Sequence, residues 1–114
     1  PMQAVYFASK AFVSSLSNAI AQELSTTNVT VTNMMPGATA TDFGRVSGMD
    51  KTSAFNQTAT VENVAQTGYE AMINGVIDVK AGLTFSQKAM IATIPLAPKK
   101  ILLQMMEKMQ QPKE

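Results

Sequence analysis

Apolar residues recur every three or four positions along the first part of the chain. They are Phe12, Val13, Leu16, Ala19, Ile20 and Leu24. This spacing is the period of an α-helix that buries one face. The polar run at residues 25–28 then interrupts it. The pattern therefore predicts an amphipathic helix over residues 6–25.

A strand is predicted directly after this helix. Residues 29–35 read VTVTNMM, are rich in β-branched side chains, and stop at Pro36-Gly37, a pair that favours a turn. A helix, a tight loop, a strand and a turn in this order form half of a βαβ unit. The pattern thus predicts an α/β fold.

The middle of the chain predicts a long loop followed by a helix. Residues 38–59 are rich in Thr, Ser, Gly and Ala without sustained periodicity, so we expect a loop with a short helical piece, and loops of this length are usually functional or mobile. Residues 61–74 predict a second helix with Thr60 as N-cap and Gly75 as its stop. Its expected buried side comprises Val61, Val64, Ala65 and Met72.

The last third of the chain is apolar and rich in methionine. Residues 81–86 predict a short second strand, and after the breaks at Pro95 and Pro98 a final amphipathic helix is expected. Its apolar face, edged by lysines, would also suit a membrane surface. Methionines at helical spacing more often fill gaps in a core or pocket, so we interpret this segment as core or lid and expect no membrane partner. The apolar positions of the helix are Ile101, Leu102, Met105, Met106 and Met109.

Composition narrows the function classes. With 114 residues, 46% hydrophobic and 15% charged, the chain is at most one globular domain. Nine basic against eight acidic residues give a net charge of +1, which excludes the basic face that nucleic acids require. No apolar run approaches the roughly 20 residues that span a bilayer, and no signal peptide is evident. We expect a cytoplasmic protein.

Candidate chemistry rests on Tyr6 and Lys10. The chain has no cysteine and no histidine, so we expect no metal site, and catalysis would use the remaining polar side chains. Residues four apart on a helix are neighbours, so the Lys10 ammonium would lower the pKa of the Tyr6 phenol from about 10 and suit it for proton transfer. A hydride would have to come from a cofactor. The alternative is a stand-alone helical interaction module in which this spacing is incidental.

The ordered combination of motifs resembles a known superfamily. Tyr-x-x-Ser-Lys at residues 6–10, the Val/Thr strand, and Pro-Gly-x-x-x-Thr at residues 36–41 resemble the C-terminal half of the short-chain dehydrogenases/reductases. The residues in and around these motifs are most similar to those of bacterial members that resemble hydroxysteroid and 3-ketoacyl reductases. The resemblance implies a small-molecule carbonyl or alcohol substrate and NADP or NAD as cofactor.

The resemblance also implies residue roles. Tyr6 would be the general acid/base, and Lys10 would lower its pKa and hold the nicotinamide ribose, so both would line the cofactor. Ser9 is expected to be a helix-packing residue.

The loop after the strand would bind the nicotinamide. The resemblance implies that Pro36 and Gly37 shape the turn on which the ring lies, where a side chain on Gly37 would intrude. By the same resemblance, main-chain groups of Thr39 would contact the carboxamide, and the Thr41 hydroxyl would contact the carboxamide or the pyrophosphate.

Parts of the family's pattern have no counterpart here. The Gly-rich dinucleotide fingerprint and the catalytic serine that precedes the tyrosine are missing, and the helix starts without preceding structure. We therefore interpret the chain as a C-terminal fragment of a single dinucleotide-binding domain with a doubly wound Rossmann-type parallel sheet. We expect it to be inactive alone and to form a homo-oligomer, because its strand would have open edges. The predicted segments are 1–28 (catalytic helix), 29–41 (strand and nicotinamide loop), 42–59 (substrate loop) and 60–114 (cap and tail helices).

Overall fold

The computed structural model describes residues 3–111, apart from the side chain of Ala54. The ends of the first and last predicted segments, residues 1–2 and 112–114, lie outside the described residues. Within the described range the fold is helix-rich α/β. The elements are α1 (Ala4–Glu23), β1 (Asn33–Pro36), α2 (Phe43–Ser47), α3 (Val61–Ile73), β2 (Asp78–Ala81), α4 (Phe85–Thr93) and α5 (Lys99–Gln110), with 3₁₀ turns at Met49–Lys51, Ser53–Phe55 and Ile94–Leu96.

Helix α1 confirms the first predicted helix and begins and ends two residues earlier than expected. The polar residues after it stop the helix as the pattern indicated. The Thr27 hydroxyl donates to the Leu24 carbonyl (2.8 Å) and accepts from the Val29 N–H (3.1 Å), which turns the chain toward β1. No described residue of α1 is fully buried, so its apolar side chains remain at least partly exposed.

Strands β1 and β2 pair in parallel, with Asn33 opposite Asp78 and Pro36 opposite Ala81. The predicted strand 29–35 is confirmed only at its end, since residues 29–32 lie outside the ladder. Helix α3 connects the two parallel strands and packs against β2, so β1, α3 and β2 form a βαβ unit. The described sheet has two strands, and the doubly wound arrangement stays a prediction.

The second strand was predicted in the wrong place. Residues 81–86 were expected to be extended, but β2 ends at Ala81 and α4 begins at Phe85. Gly82, directly after the strand, adopts a left-handed conformation (φ +68°). Thr84 then caps α4, because its hydroxyl accepts from the Gln87 N–H (3.3 Å) while the Gln87 amide oxygen accepts from the Thr84 N–H (2.8 Å).

Helix α3 confirms the second predicted helix and its caps. The Thr60 hydroxyl accepts from the Asn63 N–H (3.3 Å), and Gly75 follows the helix with φ +66°. The predicted buried side was wrong except for Val64. Val64 and Ala71, two turns apart, face the sheet, because β2 packs along that line of the helix. The other predicted members, Val61, Ala65 and Met72, are exposed.

The described core is small and lies where α3 meets the sheet. Its buried hydrophobic residues are Val64, Ala71 and Ala81. Asn33, the first residue of β1, is also buried, and its amide donates to Asp78 Oδ1 (2.8 Å) and Ser14 Oγ (3.3 Å). These bonds join α1, β1 and β2 at the amino end of the sheet.

The long loop is closed at its base. The Ala40 N–H donates to the Ala59 carbonyl (2.9 Å) and the Ala59 N–H donates to the Ala38 carbonyl (2.8 Å). Between these points α2 and two 3₁₀ turns confirm a loop with a short helical piece. The Phe55 ring packs over Gly44, where an added Cβ would lie 3.0 Å from it.

No helix within residues 3–111 combines the length and the apolar character that crossing a bilayer requires.

Candidate functional site

A cavity of about 750 Å³ lies at the carboxyl end of β1. Its walls come from α1, β1, the loop that follows β1, α3 and α5. All six residues that the sequence singled out line it: Tyr6, Lys10, Pro36, Gly37, Thr39 and Thr41. Open α/β sheets bind their ligands at this end of the strands.

Tyr6 and Lys10 lie one turn apart on α1. Lys10 Nζ is 5.6 Å from the centroid of the Tyr6 ring, within the range of a cation–π contact. The Phe7 ring meets the Tyr6 ring edge-on, with centroids 5.6 Å apart. Because Tyr6 remains 37% exposed, its phenol is accessible to a ligand in the cavity.

Ser9 does not line the cavity. Its hydroxyl donates to the Tyr6 carbonyl oxygen (2.8 Å), on its own helix. This bond satisfies the hydroxyl locally, so the motif's serine has no ligand-facing contact in this structure.

The Pro36-Gly37 turn is held against the end of β2. The Gly37 N–H donates to the Ala81 carbonyl (2.9 Å), which extends the ladder by one bond. A Cβ on Gly37 would lie 2.6 Å from Leu83 Cδ2 and 3.2 Å from the Gly82 carbonyl oxygen. The glycine therefore allows this close approach of two chain segments.

The two threonines of the loop stabilise the loop itself. Thr39 Oγ1 donates to the Gly37 carbonyl (3.0 Å). Thr41 Oγ1 makes longer contacts, donating to the Thr39 carbonyl (3.5 Å) and accepting from the Phe43 N–H (3.4 Å). Both residues still line the cavity.

Sequence reasoning missed much of the apolar wall. Phe43 lies 6.2 Å from Tyr6 and 6.5 Å from Phe55, measured between ring centroids, so its ring neighbours both of the others. The loop that carries the two phenylalanines has no periodicity that could have indicated this. From α5 come Met106, Met109 and Gln110. The two methionines fit the interpretation of the tail as core or lid, whereas Gln110 gave no signal because it is polar.

The charge that lines the cavity is positive. Among the described residues that line it, Lys10 is the charged one, and no carboxylate faces it. The remaining polar side chains are Tyr6, Thr39, Thr41 and Gln110. The site thus offers one cation and a few hydroxyl or amide groups on an apolar background, which is the usual make-up of a small-molecule pocket.

Comparison with known proteins gives one match. The family model for short chain dehydrogenases matches residues 1–52, just under half of the chain. This match supports membership of the short-chain dehydrogenase/reductase superfamily, and it spans all six residues singled out above without assigning roles to them. No curated protein and no solved structure matches the chain significantly.

Proposed function

We propose that this chain forms part of an NAD(P)-dependent oxidoreductase that interconverts a carbonyl and an alcohol. The observation that carries the proposal is the single cavity lined by all six residues to which the resemblance gives catalytic or cofactor roles. The family match over residues 1–52 supports the same class of enzyme. The missing parts of the family's pattern would come from sequence that precedes Tyr6 in a longer protein.

The residues present fit the nicotinamide end of the cofactor. The cavity of about 750 Å³ has the volume of a typical ligand pocket. The Lys10 ammonium is a donor that suits the hydroxyl oxygens of a ribose. Gly37 lines the cavity at the turn, and a flat ring could lie against its backbone. The side chain that Gly37 lacks would meet Leu83 and not the cavity. When bound, the cofactor supplies or accepts the hydride.

Tyr6 moves the proton in this proposal. Its phenol is both donor and acceptor, so it can hold a substrate carbonyl oxygen, give it a proton during reduction, and take the proton back during oxidation. The positive charge of Lys10, one turn along α1, stabilises the phenolate that remains after transfer. The two residues therefore act on the substrate as a pair.

The apolar wall sets the expected substrate class. Phe43, Phe55, Met106 and Met109 surround the space beyond the tyrosine. Burial of apolar surface contributes about 25 cal/mol per Å². We therefore expect a hydrophobic or medium-sized carbonyl compound or alcohol.

The test uses the full-length protein that carries this chain, screened against a carbonyl panel with NADH and NADPH. Tyr6→Phe should lower kcat by at least about 100-fold while cofactor binding, followed by NAD(P)H fluorescence, persists. The matched control is Tyr69→Phe on α3, where the side chain is 59% exposed and does not line the cavity. Near-wild-type turnover in Tyr6→Phe, or an equal loss in the control, would contradict the proposal.

A second substitution tests the role of Lys10 separately from that of Tyr6. Lys10→Met should weaken both turnover and cofactor binding, because the ammonium is expected to serve both. Lys88→Met, on an exposed position of α4 outside the cavity, should change neither. Unchanged cofactor binding in Lys10→Met would remove the ribose contact from the proposal.

A further inference from the structure

One face of α5 forms a wall of the cavity. Met106, Met109 and Gln110 are spaced three and four residues apart, lie on the same side of the helix, and all line the cavity. Gln110 is the polar member of this wall. Its Oε1 atom is buried and accepts no hydrogen bond from any residue in the described range.

An unpaired buried acceptor is unusual. Buried polar side-chain atoms nearly always have a partner, because an unsatisfied group loses its hydration without compensation. The described range has one other such atom, Thr32 Oγ1, and Thr32 does not line the cavity. Gln110 lines the cavity, and because the terminal torsion of a glutamine is broad, a small turn of the amide brings this oxygen within reach of a ligand there without moving α5.

Ring contacts connect Tyr6 with the part of the loop that touches α5. Steps of 6.2 Å and 6.5 Å lead from Tyr6 through Phe43 to Phe55. The 3₁₀ turn that carries Phe55 is joined to α5, because the Ser53 hydroxyl donates to the Met109 carbonyl (3.2 Å). Contacts between neighbouring residues therefore lead from the tyrosine to the segment of α5 that carries Gln110, and Tyr6, Phe43, Phe55 and Gln110 all line the cavity.

We infer that Gln110 is a specificity-determining residue that accepts a hydrogen bond from a hydroxyl at the far end of an otherwise apolar carbonyl substrate. The inference rests on the proposed function, since it assumes that the carbonyl is held at Tyr6. A substrate hydroxyl at this point would give the orphan acceptor its missing partner. A substrate without the hydroxyl would leave the acceptor unpaired, and sites built to bind a hydroxyl discriminate strongly on this basis.

The test compares two ketones of one skeleton in the full-length protein: a long-chain methyl ketone with a terminal hydroxyl, and the same ketone without it. The wild-type protein should prefer the hydroxy ketone in kcat/KM. Gln110→Met, which extends the existing methionine wall, should reduce this preference about tenfold. The change should lie in the KM of the hydroxy ketone with kcat retained, because the contact is remote from the reacting atoms.

Two further variants make the test decisive. Gln111→Met changes the exposed neighbour outside the cavity and should leave the preference unchanged. Gln110→Glu keeps an acceptor oxygen and should keep the preference. Far-UV circular dichroism shows whether Gln110→Met folds. If Gln110→Met does not fold, Gln110→Glu decides, because loss of the preference for the hydroxy ketone in this variant would overturn the inference.

The two possible failures are distinguishable. Turnover of both ketones with the same preference in wild type and Gln110→Met overturns the role of Gln110 and leaves the oxidoreductase standing. Absence of turnover by the wild type across the whole carbonyl panel overturns the proposed function, and this inference with it.

Discussion

Gly82→Ala should be strongly destabilising, because two separate effects meet at this residue. Gly82 has φ +68°, a conformation that side chains disfavour. A Cβ here would also lie 2.7 Å from the Cβ of Ala59 and 2.9 Å from Val64 Cγ2. Neither neighbour can move freely: Ala59 is held by the hydrogen bonds that close the long loop, and Val64 is one of the few buried hydrophobic residues.

The magnitude follows from adding the two effects. The left-handed conformation costs an alanine about 1–2 kcal/mol. Overpacking against a fixed neighbour costs about 1–3 kcal/mol more. Gly48 provides the matched control, since it has φ +71° and an added Cβ would meet nothing within 4 Å. Gly48→Ala should therefore lower the free energy of unfolding by the first amount alone, and Gly82→Ala by about 2–5 kcal/mol.

The assay is urea unfolding of the full-length protein, followed by far-UV circular dichroism. With unchanged slopes, the shift in midpoint gives the change in the free energy of unfolding. Equal destabilisation by the two substitutions would refute the reasoning, because it would mean that Ala59 and Val64 make room for the added methyl group.

Four further outcomes are expected. Asn33→Ala should lower the free energy of unfolding by about 2 kcal/mol in urea melts, since it removes a 2.8 Å bond to the Asp78 carboxylate, whereas Asn18→Ala, with an exposed 3.3 Å contact to the same carboxylate, should cost about 1 kcal/mol or less. Thr84→Ala should cost about 1 kcal/mol and speed hydrogen exchange in the first turn of α4. Ser9→Ala should leave kcat/KM unchanged, because its hydroxyl binds its own helix. Light scattering of the isolated chain should show a dimer or larger assembly, because α1 exposes its apolar side chains; a folded species of 12.2 kDa would contradict this.

Helical periodicity was sufficient to locate α1, α3 and α5. Each is long enough for the pattern to repeat several times, and the Thr60 and Gly75 signals fixed the ends of α3. The pattern could not say which line of α3 faces the sheet, because that depends on where β2 packs. Val61 and Met72 are therefore exposed despite being apolar.

The local sequence pattern could not predict the short strand β2. Its four residues alternate too briefly to be distinguished from a loop, and they are extended because β1 pairs with them across the fold. The sequence nevertheless contained a signal against a strand at 81–86. Thr84 followed three residues later by Gln87 is the signature of a capping box. It marks the start of a helix within the segment expected to be a strand.

The candidate site likewise has one part that the sequence could predict and another that it could not. Tyr6, Lys10 and the loop at 36–41 belong to motifs, so the sequence could place them on one helix turn and one strand end. Phe43 and Phe55 reach the cavity through an irregular loop, and Gln110 through a helix whose periodicity is defined by other residues. Such walls depend on tertiary packing, which short-range spacing does not encode.

The parallel pairing of β1 with β2 has a consequence for the order in which the chain folds. The paired strands are separated by roughly 40 residues, so at synthesis rates of about 5–20 residues per second β1 waits about 2–8 s for its partner. During that interval residues 29–35, which carry no charge, present open backbone groups to any other nascent chain. The cavity comes later still, because α5 must emerge before its wall exists. Slow, non-local assembly of this kind leaves the chain open to misassociation before the fold is complete, whatever its final stability.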